Sequence, residues 1–117
     1  PELLLDQGRI VQILVNLISN AEQAMEGVTD REPRLTLRVE LMAGQRLRIC
    51  VADNGAGIAT QALPQVFVHG FTTKKTGHGF GLHSAVIAAH EMGGTLTAHS
   101  DGPGTGAAFT LELPVEI

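Results

Sequence analysis

With 117 residues, a hydrophobic content of 44% and one cysteine, the sequence is expected to form one domain, spanning residues 1–117, with a single core and no internal disulfide. Its net charge of −4 and its lack of Trp and Tyr argue against a basic nucleic-acid surface and an aromatic platform for single strands. No apolar run approaches the roughly 18 residues of a membrane span, and no basic leader precedes one, so we expect a cytoplasmic location without a membrane or nucleic-acid partner.

The first part of the chain predicts an amphipathic helix. From Asp6, a candidate N-cap, to Met25, apolar residues recur at steps of three and four, the spacing of a core-facing helical side. These residues are Ile10, Ile13, Leu14, Leu17, Ile18, Ala21 and Ala24. Gly27 is expected to end the helix, because glycine commonly follows a helical C-terminus.

A β-hairpin is predicted next. Residues 35–41 and 47–51 alternate between apolar and polar types, which indicates two half-buried antiparallel strands joined by a turn at 43–45. A short helix is expected over 60–63 and should end before Pro64, because proline interrupts helical hydrogen bonding.

The second half predicts a loop, a helix and two strands. Residues 68–79 are rich in glycine, threonine and lysine, a composition that suits a mobile lid. A helix over 80–92 should stop at the glycine pair 93–94, before strands at 95–100 and 107–115. The order helix, two strands, helix, two strands predicts an α+β fold: a two-layer α/β sandwich with the helices on one face of a mostly antiparallel mixed sheet.

Three glycines mark the start of the second predicted helix. In GHGFGL, Gly77, Gly79 and Gly81 occupy every second position. A helix N-terminus carries unpaired N–H groups and a partial positive charge, and glycine lets an anion approach them, so phosphate is a candidate ligand. Taken alone, the same pattern also describes an ordinary glycine-rich turn.

Polar residues stand out at two other places. Asn16 and Asn20 lie one turn apart on one side of the first helix; their amides either bond to the backbone and each other, or hold Mg²⁺ together with phosphates. Asp53 follows a strand into a loop opened by Gly55 and Gly57, which would place a carboxylate at the floor of a pocket or simply make a turn.

Together, these stretches resemble the motifs of the ATP-binding catalytic domain of bacterial sensor histidine kinases. That domain has the Bergerat fold of the gyrase, heat-shock chaperone and mismatch-repair ATPase superfamily. NLISNAEQAM resembles its N box, DNGAGI, GHGFGL and GTGAAF its three glycine boxes, and FVHGFTTKK its phenylalanine box and the start of its lid. The resemblance covers nearly the whole chain.

The resemblance implies a role for each matching residue. Asn20 would coordinate the Mg²⁺ that bridges the phosphates of ATP, with Asn16 contributing to the same site. Asp53 would accept a hydrogen bond from the adenine amine, which favours ATP over GTP. At least one of Lys74 and Lys75 would screen charge on the γ-phosphate. The remaining implied nucleotide contacts belong to the glycine boxes and the lid: Gly55, Gly57, Ile58, Phe71, Thr72, Thr73, Gly77, Gly79, Gly81, Leu82, Gly106 and Ala107.

Some positions depart from the commonest family pattern. Gln23 stands where many members have a phosphate-contacting lysine, and His69 and Gly70 stand where proline and an aromatic residue are frequent. At the position of Asn16, hydrolysing branches and anti-sigma-factor serine kinases typically have glutamate. An amide cannot take a proton from water, so the sequence favours phosphoryl transfer over hydrolysis.

The resemblance therefore implies a kinase module that phosphorylates a histidine. The acceptor would lie on a separate dimerisation domain that is absent from this chain, and a response regulator would be served indirectly. A serine kinase or ATPase of the same superfamily and a degenerate nucleotide-binding scaffold remain alternatives. A dinucleotide-binding fold is disfavoured, because the third glycine of GHGFGL comes one position early and no carboxylate lies near Thr97.

Overall fold

The computed structural model describes residues 7–67 and 80–115. Its elements are, in chain order, α1 (Gln7–Met25), β1 (Leu35–Met42), β2 (Arg46–Asp53), a short 3₁₀ helix (Thr60–Gln65), α2 (Phe80–Glu91), β3 (Thr95–His99) and β4 (Ala107–Pro114). The predicted order of helices and strands is confirmed. The candidate cap Asp6 and the predicted lid at 68–79 lie outside the described residues.

The four strands form one sheet in the order β1-β2-β4-β3, and all three described pairings are antiparallel. The end of β2 is central to the sheet: Asp53 pairs with Leu35 on one side and with Ala107 on the other. α1 packs on β2, α2 packs on β3 and β4, and the two helices pack on each other. The predicted sandwich of helices on one sheet face is therefore confirmed.

The core lies between the helices and the sheet. Ile13 and Leu17 of α1 and Leu111 of β4 are fully buried, as is Phe109, whose ring meets Phe67 edge to face at 6.1 Å between centroids. Burying one such side chain contributes about 1.5–3 kcal/mol relative to exposing it. Along β2, burial alternates residue by residue, because successive side chains point to opposite sides of the sheet.

The prediction that β1 is half-buried is wrong. Its apolar residues alternate as expected, but all four remain 41–60% exposed: Leu35, Leu37, Val39 and Leu41. Val39 lies opposite Ile49 of β2 in the register, which is only 4% exposed, so the two strands differ sharply in burial. The reason is position: among the described elements β1 is an edge strand, and α1 packs over its neighbour β2.

Small differences occur where elements end. The helix predicted to stop before Pro64 continues through it to Gln65 as a 3₁₀ helix. Proline removes only its own N–H donor there, and the neighbouring hydrogen bonds, such as that from the Val66 N–H to the Leu63 carbonyl, do not need it. As predicted, Gly27 follows α1, with a positive φ of 76°. The turn at 43–45 joins β1 to β2 as expected.

Candidate functional site

Among the described residues, Asp53 is the only buried side chain that can carry a charge. It ends β2, is only 9% exposed, and accepts a hydrogen bond on Oδ1 from the N–H of Gly55 at 2.8 Å. Its other oxygen, Oδ2, is buried and accepts no hydrogen bond from any described residue. A buried acceptor without a partner is unfavourable, which makes Oδ2 a candidate acceptor for a hydrogen-bond donor of a ligand.

Burial is also the main influence on the protonation of this carboxyl. It raises the pKa of Asp53, because removing water disfavours the charged form, while the N–H groups of Gly55 and Ala107 lower it in part. Of these two groups, the Gly55 N–H is the one whose distance and angle meet hydrogen-bond geometry with the carboxylate. The site therefore holds an acceptor that is costly to leave ionised and unpaired.

The loop that begins at Asp53 is docked tightly on the end of α1. The N–H of Ala56 donates to the carbonyl oxygen of Ala24 at 2.8 Å, and a Cβ at Gly55 would overlap that same carbonyl. Only glycine permits this approach. Ala24 lies one turn after Asn20, so the loop meets α1 next to the predicted magnesium ligand.

A second glycine-rich loop, residues 100–106, lies against the first. The N–H of Gly104 donates to the carbonyl of Ala56 at 2.7 Å, and Gly57 lies against Gly102. A Cβ at Gly106 would overlap the carbonyl of Asp53. The first and third glycine boxes, far apart in sequence, thus form one compact unit at the end of the sheet.

Ser100 joins the two loops from the inside. It is 7% exposed, and its Oγ accepts a hydrogen bond from the N–H of Ile58 at 3.0 Å while donating to the carbonyl of Gly106 at 2.7 Å. Ser100 was not predicted from the sequence as a site residue. Serine at a strand end commonly bonds to nearby backbone, but nothing local indicates that one of its partners lies 42 positions away.

The two asparagines of α1 are half-buried and share one side of the helix. Asn16 Oδ1 accepts a hydrogen bond from Gln12 Nε2 at 3.3 Å, while the Asn20 amide bonds to no described residue. Amide oxygens are hard, uncharged ligands that suit Mg²⁺ when phosphates and water complete its shell. The donor set fits the predicted cation.

Other predicted site residues fall in the core or outside the described ranges. Leu82 of α2 is 8% exposed and belongs to the core, against which Ile58 packs, and Gly81 lies in the first turn of α2. His83 Nδ1 donates to the carbonyl of Phe67 at 3.0 Å. The remaining predicted residues lie outside the described residues: Phe71, Thr72, Thr73, Lys74, Lys75, Gly77 and Gly79.

Comparisons with known proteins agree on one family. Residues 5–117 match the sequence model of the histidine kinase-, DNA gyrase B- and HSP90-like ATPase family. The sensor histidine kinase ZraS of Escherichia coli K12 is 38% identical over 122 residues, covering 100% of this chain and 24% of the relative. The sensor protein FixL of Bradyrhizobium diazoefficiens is 39% identical over 113 residues, covering 95% and 21%. The chain thus spans about a quarter of the length of these relatives.

Solved structures give the same result. Full-length ShkA in complex with AMPPNP superposes with a TM-score of 0.83 at 32% identity, covering 98% of this chain and 23% of that one. The catalytic domain of the histidine kinase ThkA gives 0.77 at 29% identity, covering 93% and 68%.

Neither α1 nor α2 is long and apolar enough to cross a membrane.

Proposed function

Because the chain belongs to the histidine kinase-, DNA gyrase B- and HSP90-like ATPase family, we propose that it is the ATP-binding catalytic module of a sensor histidine kinase. It binds ATP and presents the γ-phosphoryl group to a histidine on a separate dimerisation domain. The identity to sensor kinases over the whole chain supports this proposal, as does the likeness to ShkA, which was solved with an ATP analogue.

The unpaired Oδ2 of Asp53 carries the proposal. The adenine ring has an exocyclic amine that can donate to this oxygen, which removes the penalty of an orphaned acceptor. Guanine has a carbonyl oxygen at the same position, and two acceptors facing each other repel. Asp53 therefore recognises adenine and rejects guanine by the same chemistry.

The phosphate end of the nucleotide belongs to α1. Asn20, whose amide bonds to no described residue, and Asn16 one turn earlier are the residues that hold Mg²⁺. The bound cation supplies charge neutralisation for the phosphates. Two further roles are proposed from the sequence alone. Phosphate binding is assigned to Gly77 and Gly79, and screening of the γ-phosphate charge to Lys74 and Lys75.

Asn16 directs the chemistry toward a protein acceptor. A water molecule needs a base to become a good nucleophile, and an amide has no basic lone pair at neutral pH. An imidazole nitrogen carries its own lone pair and, once the two domains are docked, attacks the γ-phosphorus in line while the bond to the β,γ-bridging oxygen breaks and ADP leaves. The dimerisation domain is therefore the direct partner, and a response regulator is the indirect one.

A calorimetric titration of this chain with AMPPNP, with and without Mg²⁺ and with GMPPNP as control, tests the proposal. We expect saturable binding that Mg²⁺ strengthens and that GMPPNP does not reproduce. Adding a histidine-containing dimerisation domain with ATP should then give a phosphohistidine on that domain. Absence of binding at millimolar AMPPNP would overturn the proposal.

A further inference from the structure

The segment between α1 and β1 wraps around the residue that follows Asp53. Asn54 Oδ1 accepts a hydrogen bond from the N–H of Arg34 at 2.8 Å, and its Nδ2 donates to the carbonyl of Glu32 at 2.8 Å. The backbone N–H of Asn54 donates to the carbonyl of Arg34 at 3.2 Å. Residues 30–34, which we call the clamp segment, thus hold the first glycine loop at Asn54.

Arg31 extends this clamp to the second loop. Its Nη1 donates to the carbonyl of Asn54 at 3.2 Å and to the carbonyl of Gly104 at 2.7 Å. The other two nitrogens are held by Asp30: Nε donates to Oδ1 at 3.0 Å and Nη2 to Oδ2 at 3.1 Å. The carboxylate therefore orients the guanidinium so that its remaining nitrogen points at both loops.

We propose that Arg31 is a positioning residue for adenine recognition: by holding the Asn54 and Gly104 carbonyls together, it fixes the loop that follows Asp53 against the second glycine-rich loop, residues 100–106. This inference rests on the proposed function, in which Asp53 binds the adenine amine. Arg31 does not touch the nucleotide itself.

The two loops need such a contact because their glycine residues restrict the backbone conformation only weakly. Gly102, Gly104 and Gly106 all adopt positive φ, and glycine loses more conformational freedom on ordering than any other residue. Movement of the first loop would displace the Gly55 N–H that holds the Asp53 carboxylate, and hydrogen bonds weaken steeply with poor alignment. Among the described residues, the Gly104–Ala56 hydrogen bond, Ser100 and Arg31 join the two loops to each other.

The chemistry of the contact requires arginine. A guanidinium has five N–H donors in a rigid plane, so it can satisfy both oxygens of Asp30 and two carbonyls at once. A lysine ammonium has three donors at one point and cannot reach all four acceptors. Arg31→Lys should therefore restore only part of what Arg31→Gln removes.

The experiment compares ADP and GDP binding to wild type, Arg31→Gln and Arg31→Lys by displacement of a fluorescent ADP analogue. Arg38→Gln is the matched control, because it removes the same charge from an exposed position on β1. We expect Arg31→Gln to weaken ADP binding about 3- to 30-fold and to lower the preference for ADP over GDP. Arg31→Lys should fall between it and wild type, and Arg38→Gln should match wild type.

Selective loss separates positioning from general destabilisation, because partial unfolding would weaken both nucleotides alike. Asp30→Asn provides a second route: it releases the guanidinium without removing it and should reduce the ADP preference in the same direction. If wild type binds ADP and Arg31→Gln binds it equally well with unchanged selectivity, the inference is overturned while the proposed function stands. If wild type does not bind ADP, both are overturned.

Discussion

Replacing Asp53 with Asn should separate stability from nucleotide recognition. Asn has nearly the same shape, and its Oδ1 can still accept the hydrogen bond from the Gly55 N–H. Its Nδ2 then occupies the position of the unpaired Oδ2 and presents a donor where the wild type presents an acceptor. The substitution therefore reverses the polarity of the one group proposed to contact the adenine amine.

The expected size of the binding effect follows from that reversal. A hydrogen bond to a charged group contributes about 1.5–3 kcal/mol, which corresponds to roughly 10- to 150-fold in Kd. Asp53→Asn should weaken AMPPNP binding by at least this factor, because two donors then face each other. Binding of the guanine analogue should weaken less or improve, since Nδ2 can donate to the guanine carbonyl.

The free energy of unfolding should not fall with the nucleotide affinity but stay the same or rise. Burial raises the pKa of Asp53 above its usual value of 3.8, so the folded state holds this proton more tightly than the unfolded chain. The corresponding contribution to the free energy of unfolding is present at low pH and is lost as the pH rises through the raised pKa. Near pH 7, Asp53→Asn should thus unfold at the same or a higher urea concentration than wild type.

Urea unfolding at pH 4 and pH 7, together with titrations of both analogues, checks these expectations. The stability gap between variant and wild type should be larger at pH 7 than at pH 4, and purine preference should shift toward guanine. The reasoning would be refuted if the variant bound AMPPNP as tightly as wild type. It would also be refuted if the stability of the variant relative to wild type were lower at pH 7 than at pH 4.

Four further substitutions follow from burial and hydrogen bonding. Ile49→Ala should lower the free energy of unfolding by about 2–5 kcal/mol. Val39 lies directly opposite but is 60% exposed, so Val39→Ala should lower it by less than ~1 kcal/mol. Equal decreases for the two variants in urea unfolding would contradict the difference in burial. Ser100→Ala should cost about 1–3 kcal/mol by leaving the Ile58 N–H unpaired, and unchanged unfolding would show that Oγ is dispensable. Asn20→Ala should remove the Mg²⁺-dependent part of the AMPPNP affinity, as measured by calorimetry. If Mg²⁺ still strengthens binding to the variant, Asn20 is not a magnesium ligand.

Local patterns predicted the elements well, because they reflect local causes. The three- and four-residue spacing of α1 follows from helical geometry, and alternation in β2 follows from the strand pleat. Alternation in β1 was equally clear but gave the wrong burial. A period of two shows which side chains share a face, whereas burial depends on whether another element covers that face. The sequence contains no local signal for that.

The candidate site divides in the same way. Asp53 and its glycines were predictable because a strand ending in a glycine-rich loop is a local feature, and the family resemblance assigned its role. Arg31 was not predictable, since one of its carbonyl partners lies 73 positions away. A backbone carbonyl is present at every residue, so its use as an acceptor leaves no mark in the sequence.

The way the glycine loops are restrained has a consequence for affinity. Their ties run to the Ala24 carbonyl, to Ser100 and to Arg31, all groups of the chain itself, and Asp53 is placed without help from a ligand. A preformed site binds without the entropy loss of ordering its own loops. The adenine end of the site should therefore bind adenosine, which has no phosphates. Substitutions that remove hydrogen bonds of the clamp segment should reduce this affinity more than they reduce the free energy of unfolding.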